Sequence, residues 1–429
     1  MSTGILLLVM LLVLILIGVP VSTAMGVSAL VGLATGGYNT TILPLLIERG
    51  SNTINLTAIP YFLLAANLMN STGITDRIFA FANACVGWIR GGLAQVNVVA
   101  SMIFAGISGS ASGDTAGLGK IEIDAMQEKG YDLGWSASVT LASSVLGPII
   151  PPSSPFIIFA MLAEVSVAKM FVAGVIPGIV IAVTLMIANY FIARSGRVAC
   201  PKPEPFDAKL LWETFKHGFL ALMAPAIMLL GIMSGVVTAT EVGLIAVAYS
   251  ALVGLIYRTL TWKSFYEALS GTVKASAIIL FMMGMGYSIG YVLTIENVPK
   301  LLMQSLMSIS SNKYVILLII NALLLVLGCF IDGPTVRLIT VPLLLPIIDA
   351  LGISRITFGV WHTINLLIGY CTPPVGQGLM ITSTITKMNM TKLVKSFMPF
   401  FIPLLVSLLM VTYIPWLTTW LVNLVYGSL

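Results

Sequence analysis

The sequence predicts an all-α integral membrane protein made of two inverted-topology repeats, each with a re-entrant hairpin and a discontinuous transmembrane helix. Three observations predict it: a chain that is 58% hydrophobic and only 9% charged, glycine–proline breaks that recur at one fixed spacing, and a one-sided distribution of lysine and arginine. Soluble domains carry about a quarter charged residues, so the composition excludes a soluble fold. Apolar stretches of about 20 residues, enough to cross roughly 30 Å of hydrocarbon, recur from end to end. Lipid offers backbone groups no partner, so helix is the default state.

The first stretch, Gly4 to Leu33, lacks a basic start and a small-residue cleavage site and reads as one membrane helix rather than a signal peptide. An apolar segment near Leu56 to Thr72 follows, then a Gly/Ser-rich hairpin over about 91–126 and a broken helix over about 135–164, closing a first membrane repeat at residues 1–193. A polar connector spans 194–216. The second repeat, 217–429, has crossings near Gly218 to Gly235, Thr238 to Tyr257 and Val273 to Leu293, a hairpin over about 314–351, a broken helix over about 357–386 and a terminal segment from Phe397. Cys85, Cys200, Cys329 and Cys371 are scattered and only two histidines exist, so neither a disulfide framework nor a zinc site has material.

Gly147-Pro-Ile-Ile-Pro151-Pro152 and Gly369-Tyr-Cys-Thr-Pro373-Pro374 share the form Gly-x-x-x-Pro-Pro and stand 222 residues apart. The same shift carries Gly106, which opens a Ser-rich run to Asp114 and Thr115, onto Gly328, which opens Gly328-Cys-Phe-Ile-Asp332-Gly-Pro-Thr335-Val-Arg337. A single break in a membrane helix is commonly a kink. Matched breaks in two halves instead point to a binding site, because unwound backbone is tolerated at membrane depth only inside protein or along a cavity.

Two re-entrant hairpins separated by five crossings must enter from opposite faces. With the connector in the cytoplasm, Arg77, Arg90, Lys129, Arg194, Arg197, Lys202, Lys209, Lys216, Arg258, Lys263, Lys387, Lys392 and Lys395 lie inside, and Arg49, Lys169, Lys300, Lys313 and Arg355 lie outside. That split obeys the positive-inside rule. It also accounts for the net charge of +5 without a nucleic-acid partner.

A hairpin tip inside the membrane leaves carbonyls at one helix end and N–H groups at the next without intrahelical partners, the first suited to a cation and the second to an anion. Pairing each tip with its break gives two candidate sodium sites: Gly106, Ser108, Gly147, Ile150 and Pro152 in the first half, and Gly328, Gly369, Thr372 and Val375 in the second. Candidate substrate contacts are the hydroxyls of Ser110, Ser112, Ser153, Ser154 and Thr335 and the charges of Asp114, Asp332 and Arg337. A charge at membrane depth is costly and functional by default. Asp114 and Asp332 have a competing reading as caps of the second hairpin arms. Arg337 suits a carboxylate, through its planar fork, or an internal pair with Asp332, or a snorkelling position. Glu241, near a helix start, reads as structural.

Two other classes compete. Gly106-Ile-Ser108-Gly109 has the Gly-x-Ser-Gly form of rhomboid-type intramembrane proteases, with His362 as a base, and an ion channel would also need polar breaks. No Gly-x-x-x-x-Gly-Lys-[Ser/Thr] loop exists, so ATP hydrolysis of that kind is excluded.

The Ala58-Ile-Pro-Tyr-Phe-Leu-Leu-Ala segment, the Ser108-Gly-Ser-Ala-Ser-Gly-Asp-Thr-Ala tip, Ile149-Ile-Pro-Pro-Ser-Ser-Pro-Phe-Ile-Ile-Phe and Thr372-Pro-Pro-Val-Gly together resemble the large, DctM-like membrane subunit of the TRAP (tripartite ATP-independent periplasmic) transporters. The resemblance covers essentially the full length. It implies a multi-pass protein of the bacterial inner membrane that is not an enzyme. It further implies import of sialic acid, a dicarboxylate or a related organic acid with Na+ as coupling ion, by an elevator motion. The implied partners are a periplasmic substrate-binding protein and a small four-helix membrane subunit. No four-helix unit precedes Gly4, so that subunit is expected as a separate chain. Arg337 departs from the family, whose second hairpin arm is usually apolar there.

Overall fold

The computed structural model describes residues 3–71, 74–203 and 205–427. Thr72, Glu204 and the last two residues of the second repeat therefore lie outside the described residues. The described chain is helical throughout. Its first half comprises α1 (Thr3–Leu16), α2 (Val21–Thr35), α3 (Leu43–Ser51), α4 (Ala58–Ser71), α5 (Ile74–Val86), α6 (Leu93–Ser108), α7 (Ala111–Ala116), α8 (Leu118–Glu128), α9 (Leu133–Ser143), α10 (Ser154–Leu162) and α11 (Val167–Ser195). The second comprises α12 (Ala208–Ser234), α13 (Ala239–Ile256), α14 (Trp262–Ile295), α15 (Val298–Ile309), α16 (Lys313–Phe330), α17 (Gly333–Ala350), α18 (Arg355–Tyr370), α19 (Gln377–Thr386), α20 (Met390–Tyr413) and α21 (Trp416–Tyr426). Seven of these are long and apolar enough to cross a membrane, from α11 to α14 together with α16, α17 and α20.

The 222-residue shift extends well beyond the motifs. It takes the start of α9 at Leu133 to the start of α18 at Arg355, and the start of α11 at Val167 to within one residue of the start of α20. The halves also exchange partners: α4 packs on α13 as α14 packs on α2, α12 on α5 as α1 on α15, and α9 on α20 as α18 on α11. Five crossings separate the hairpins: the α9–α10 pair and then α11, α12, α13 and α14. Helix α15 does not add a sixth, because 12 residues rise only about 18 Å and only Val298 and Pro299 of it are buried. The two hairpins, α6–α8 and α16–α17, accordingly face opposite ways.

Three expectations are corrected. The stretch Gly4 to Leu33 is not one helix: Gly18, at φ +87°, and Pro20 break it, and α1 folds back along α2. As a result Gly4 lies against Val298 and Glu296, on the same side as Tyr38, whose hydroxyl donates to Glu296 at 3.0 Å. A single helix would have put Gly4 and Tyr38 on opposite faces. The crossings expected from Gly218 and Val273 begin instead at Ala208 and Trp262, so the last residues of the polar connector are helical. Asp207 caps α12 through the N–H groups of Lys209 and Leu210, and Thr261 with Ser264 forms a capping box on α14. The charges that made these turns look like loop sit at helical spacing outside the hydrocarbon, Lys209 with Glu213 and Lys263 with Glu267. The terminal segment, finally, is two helices divided at Pro415.

Buried amides lock each hairpin to the broken helix of its own repeat. Asn97 of α6 donates to Thr140 Oγ1 at 2.6 Å and accepts from Ser143 Oγ at 2.6 Å, and Ser101 donates to Ser143 at 3.0 Å. Across the repeat, Asn365 of α18 donates to the backbone oxygen and Oδ1 of Asn321 of α16 at 3.0 and 2.8 Å. Ser143 and Asn365 are themselves 222 residues apart. We expect Asn97→Ala, which strips two buried hydroxyls of their partner, to cost about 1–2 kcal/mol, read as a lowered thermal transition of the full chain in detergent.

Candidate functional site

The first hairpin turns at Gly109, where α6 ends with φ +58°. A side chain there would also run into the carbonyl of Pro152, so the position needs glycine twice over. Ser110 then caps α7, accepting from Gly113 N–H. The second hairpin turns at Ile331–Asp332. Asp332 caps α17, accepting from Thr335 N–H at 3.3 Å and Thr335 Oγ1 at 2.6 Å. Each tip lies against its own break, and Pro151–Pro152 and Pro373–Pro374 are both cis.

At the first tip, Ser108 Oγ donates to Asp114 Oδ1, and Asp114 Oδ2 points at Gly147 with no hydrogen-bond partner. The Ser110 carbonyl also borders Gly147, the Pro151 carbonyl borders Gly106 and the Pro152 carbonyl borders Gly109. Gly106, Ser108, Gly147 and Pro152 are thus brought together around a buried carboxylate. The Ile150 side chain packs on Gly178, away from the tip, which leaves only its carbonyl as a candidate ligand. The gathered oxygens are the hard-donor kind that a monovalent cation takes, and the orphaned Asp114 Oδ2 fits one. Asp114 therefore lies at the tip beside Ser108 and Gly147 and does not line the cavity between the tips.

At the second tip, Gly328 and Gly369 meet backbone to backbone: a Cβ on Gly369 would lie 2.6 Å from the Gly328 carbonyl carbon. Val375 joins Gly328 and Asp332 in a cleft of about 40 Å³, and Gly376 N–H donates to the Cys329 carbonyl at 3.2 Å. Thr372 is not part of that lining, and its hydroxyl donates to the Ile368 carbonyl at 2.6 Å, which leaves its oxygen lone pairs available to a cation. Among the described residues no three His, Cys, Asp or Glu side chains cluster, so any ion here is held chiefly by backbone.

Between the tips is a cavity of about 250 Å³ lined by Ser110, Ser112, Ser154, Arg337, Tyr370 and Gln377, by Pro148, Pro155 and Pro334, and by Leu63, Ile158, Ile279, Leu366 and Leu367. Of the expected substrate contacts, Ser110, Ser112, Ser154 and Arg337 line it. Ser153, Asp332 and Thr335 do not, because each spends its side chain locally: Ser153 caps α10 and bonds the Pro148 carbonyl, and Asp332 and Thr335 bond each other. Arg337 neither pairs with Asp332 nor snorkels. It is 2% exposed, and its Nη2 donates to Thr363 Oγ1 at 3.2 Å. Tyr370, Gln377 and Thr363 were missed by sequence reasoning. Tyr370 lies inside the second break and Gln377 opens the helix after it, so the motif itself was the available signal.

The protease reading loses its geometry here. Ser108 bonds Asp114 while His362 Nε2 bonds Thr340 at 2.8 Å, so the two are not hydrogen-bonded to each other. Glu241 is a capping-box partner of Thr238, as expected of a structural residue.

The chain matches the DctM component of the tripartite ATP-independent periplasmic transporters over residues 8–417. It belongs to the TRAP large-permease family. Similar TRAP proteins include the sialic acid TRAP transporter large permease protein SiaM of Vibrio cholerae, 38% identical with 88% of each chain covered. The C4-dicarboxylate large permease DctM of the same organism is 33% identical with 96% of each covered. In three dimensions the chain is similar to the YdaH transporter of Alcanivorax borkumensis, with TM-score 0.63 over 88% of this chain and 87% of that one, at 13% identity. That likeness speaks to fold alone. The TRAP permease is thus a multi-pass protein of the bacterial inner membrane, in a family of organic-acid transport components that are not enzymes.

Proposed function

We propose that this TRAP permease forms the membrane pathway of a sodium-coupled importer of a small organic acid. One observation carries the reading: two hairpin tips, each pressed on a broken helix, converge on a cavity whose single charged wall residue is the buried Arg337. A buried guanidinium facing a cavity calls for an anion, and carboxylate matches its planar fork. The orphaned Asp114 oxygen and the carbonyls beside Gly147 supply a sodium position in the first repeat, and the Gly328–Gly369 contact with the Val375 cleft supplies one in the second.

An elevator motion accounts for the two kinds of wall. Leu63 and Ile279 come from the flanking helices α4 and α14, whereas the other lining residues belong to hairpins and broken helices locked together by Asn97 and Asn365. The first break, 147–153, is buried, whereas Pro373, Pro374 and Val375 of the second are exposed. A substrate-binding protein and a four-helix subunit on separate chains complete the transporter.

The test is uptake into proteoliposomes containing the chain and both partners, with sodium and a panel of acids varied. Uptake indifferent to sodium, or driven as well by a proton gradient alone, sinks the coupling. Within that assay Asp114→Asn is expected to raise the half-saturating sodium concentration at least about tenfold, since an ion loses a charged ligand. An unchanged sodium dependence would leave Asp114 a purely structural role.

A further inference from the structure

Arg337 is a buried cation that the Asp332 carboxylate reaches only through space, without forming an ion pair. Its Nε has no hydrogen-bond partner and its Nη2 reaches only the neutral Thr363 hydroxyl. It takes part in none of the ion pairs among the described residues, which join Lys209 to Glu213, Lys263 to Glu267 and Arg355 to Asp349. The nearest acid along its helix, Asp332, spends both oxygens on Thr335.

Around the cavity the remaining polar groups are uncharged. Ser110 and Ser112 bond each other at 3.1 Å, and Tyr370 shares a 3.1 Å bond with Thr115. The rest of the wall is largely aliphatic, with Leu63, Ile158, Ile279, Leu366 and Leu367. One carboxylate on the substrate would balance Arg337. A second would meet neutral hydroxyls or aliphatic surface, with each tip's carboxylate, Asp114 or Asp332, and the sodium proposed beside it lying behind that wall. Desolvating an unpaired carboxylate is the most costly way to fill such a site.

Building on the proposed transport function, we propose that the cavity takes a mono-anionic carboxylic acid. Its one carboxylate engages Arg337, and its uncharged, mainly aliphatic body lies on the leucine–isoleucine wall. C4-dicarboxylates are excluded. Thr363 is a positioning residue: it holds Nη2 and so aims the unpartnered Nε edge of the fork.

The test is direct binding to the full chain in nanodiscs with sodium, read as ligand-dependent shift of its thermal transition, using 2-hydroxyisovalerate as monoacid and succinate as diacid. The monoacid is expected to act at a concentration at least about tenfold below succinate, and Arg337→Gln to weaken it about a hundredfold. Thr363→Val keeps the charge, is expected to lower the ligand-free transition modestly because a buried guanidinium loses its acceptor, and is expected to weaken the monoacid several-fold, read against the variant's own ligand-free transition. It serves if Arg337→Gln does not fold. Equal or tighter binding of succinate overturns the monoacid assignment while leaving an Arg337-dependent acid site, and with it the transport reading, intact. No change on Thr363→Val overturns its positioning role. Failure of both acids to bind, alone or with the partner subunits present, overturns the transport reading together with this inference.

Discussion

Gly369→Ala is expected to reduce uptake at least about tenfold while leaving the chain in the membrane. A methyl group at Gly369 would stand 2.6 to 2.9 Å from the Gly328 backbone, which has no flexible side chain that can turn aside. Overpacking of this kind costs about 1–3 kcal/mol, and here the cost falls on the contact that joins the second hairpin tip to its break. The hairpin must back away from the broken helix, opening the very carbonyl arrangement assigned to the second sodium. Gly271→Ala is the matched control. A Cβ there makes only an ordinary 3.7 Å contact with Asn67, so uptake and sodium dependence should stay as they are. Equal activity of the two variants would show that the Gly328–Gly369 contact has slack.

Arg337→Gln is expected to lower uptake about a hundredfold or more, the change associated with removing one member of a buried, hydrogen-bonded charge pair. Glutamine keeps a donor and much of the stem, so the effect reports on charge more than volume. Removing a buried charge that makes no ion pair should also leave the ligand-free chain as stable as before, or more so. That combination, stability kept and transport lost, separates a binding residue from a packing residue. Loss of stability with residual transport intact would place Arg337 in the scaffold.

The repeat was legible because it is written in residues with few substitutes. Glycine and adjacent prolines interrupt a membrane helix wherever they fall, so Gly147 with Pro151 and Pro152, and Gly369 with Pro373 and Pro374, located both breaks. What escaped the sequence is what lipid-facing and water-facing helices have in common. The turns from Ala208 to Lys216 and from Trp262 to Thr272 look like loop by hydropathy, yet capping by Asp207 and Thr261 starts them as helix outside the hydrocarbon. The break at Gly18–Pro20 was hidden by the apolar residues on both sides of it.

Among the expected hydroxyls, Ser110, Ser112 and Ser154 line the cavity and Ser153 and Thr335 do not. Ser153 and Thr335 sit beside residues that face the cavity, but a short polar side chain at a helix start finds backbone N–H groups before it finds a ligand. Asp114 was rightly singled out as a charge at membrane depth. Its carboxylate, bonded to Ser108 and facing Gly147, lies among the backbone carbonyls of the tip rather than in the cavity lining. Thr363 carries no motif at all, and only the three-dimensional approach of α17 to α18 brings it in.

The exchange of packing partners between halves bears on how the chain is made. Within the first half α1 already packs on α2, and α5, α9 and α11 pack on α6, but α2 meets α14 and α4 meets α13 only once the second half has been inserted. A ribosome delivering this protein would therefore leave those faces of the first repeat open to the bilayer until residue 295 has passed. The two repeats are interlaced in assembly although they read as tandem copies along the chain, and a translation stop between them would release neither half as a finished unit.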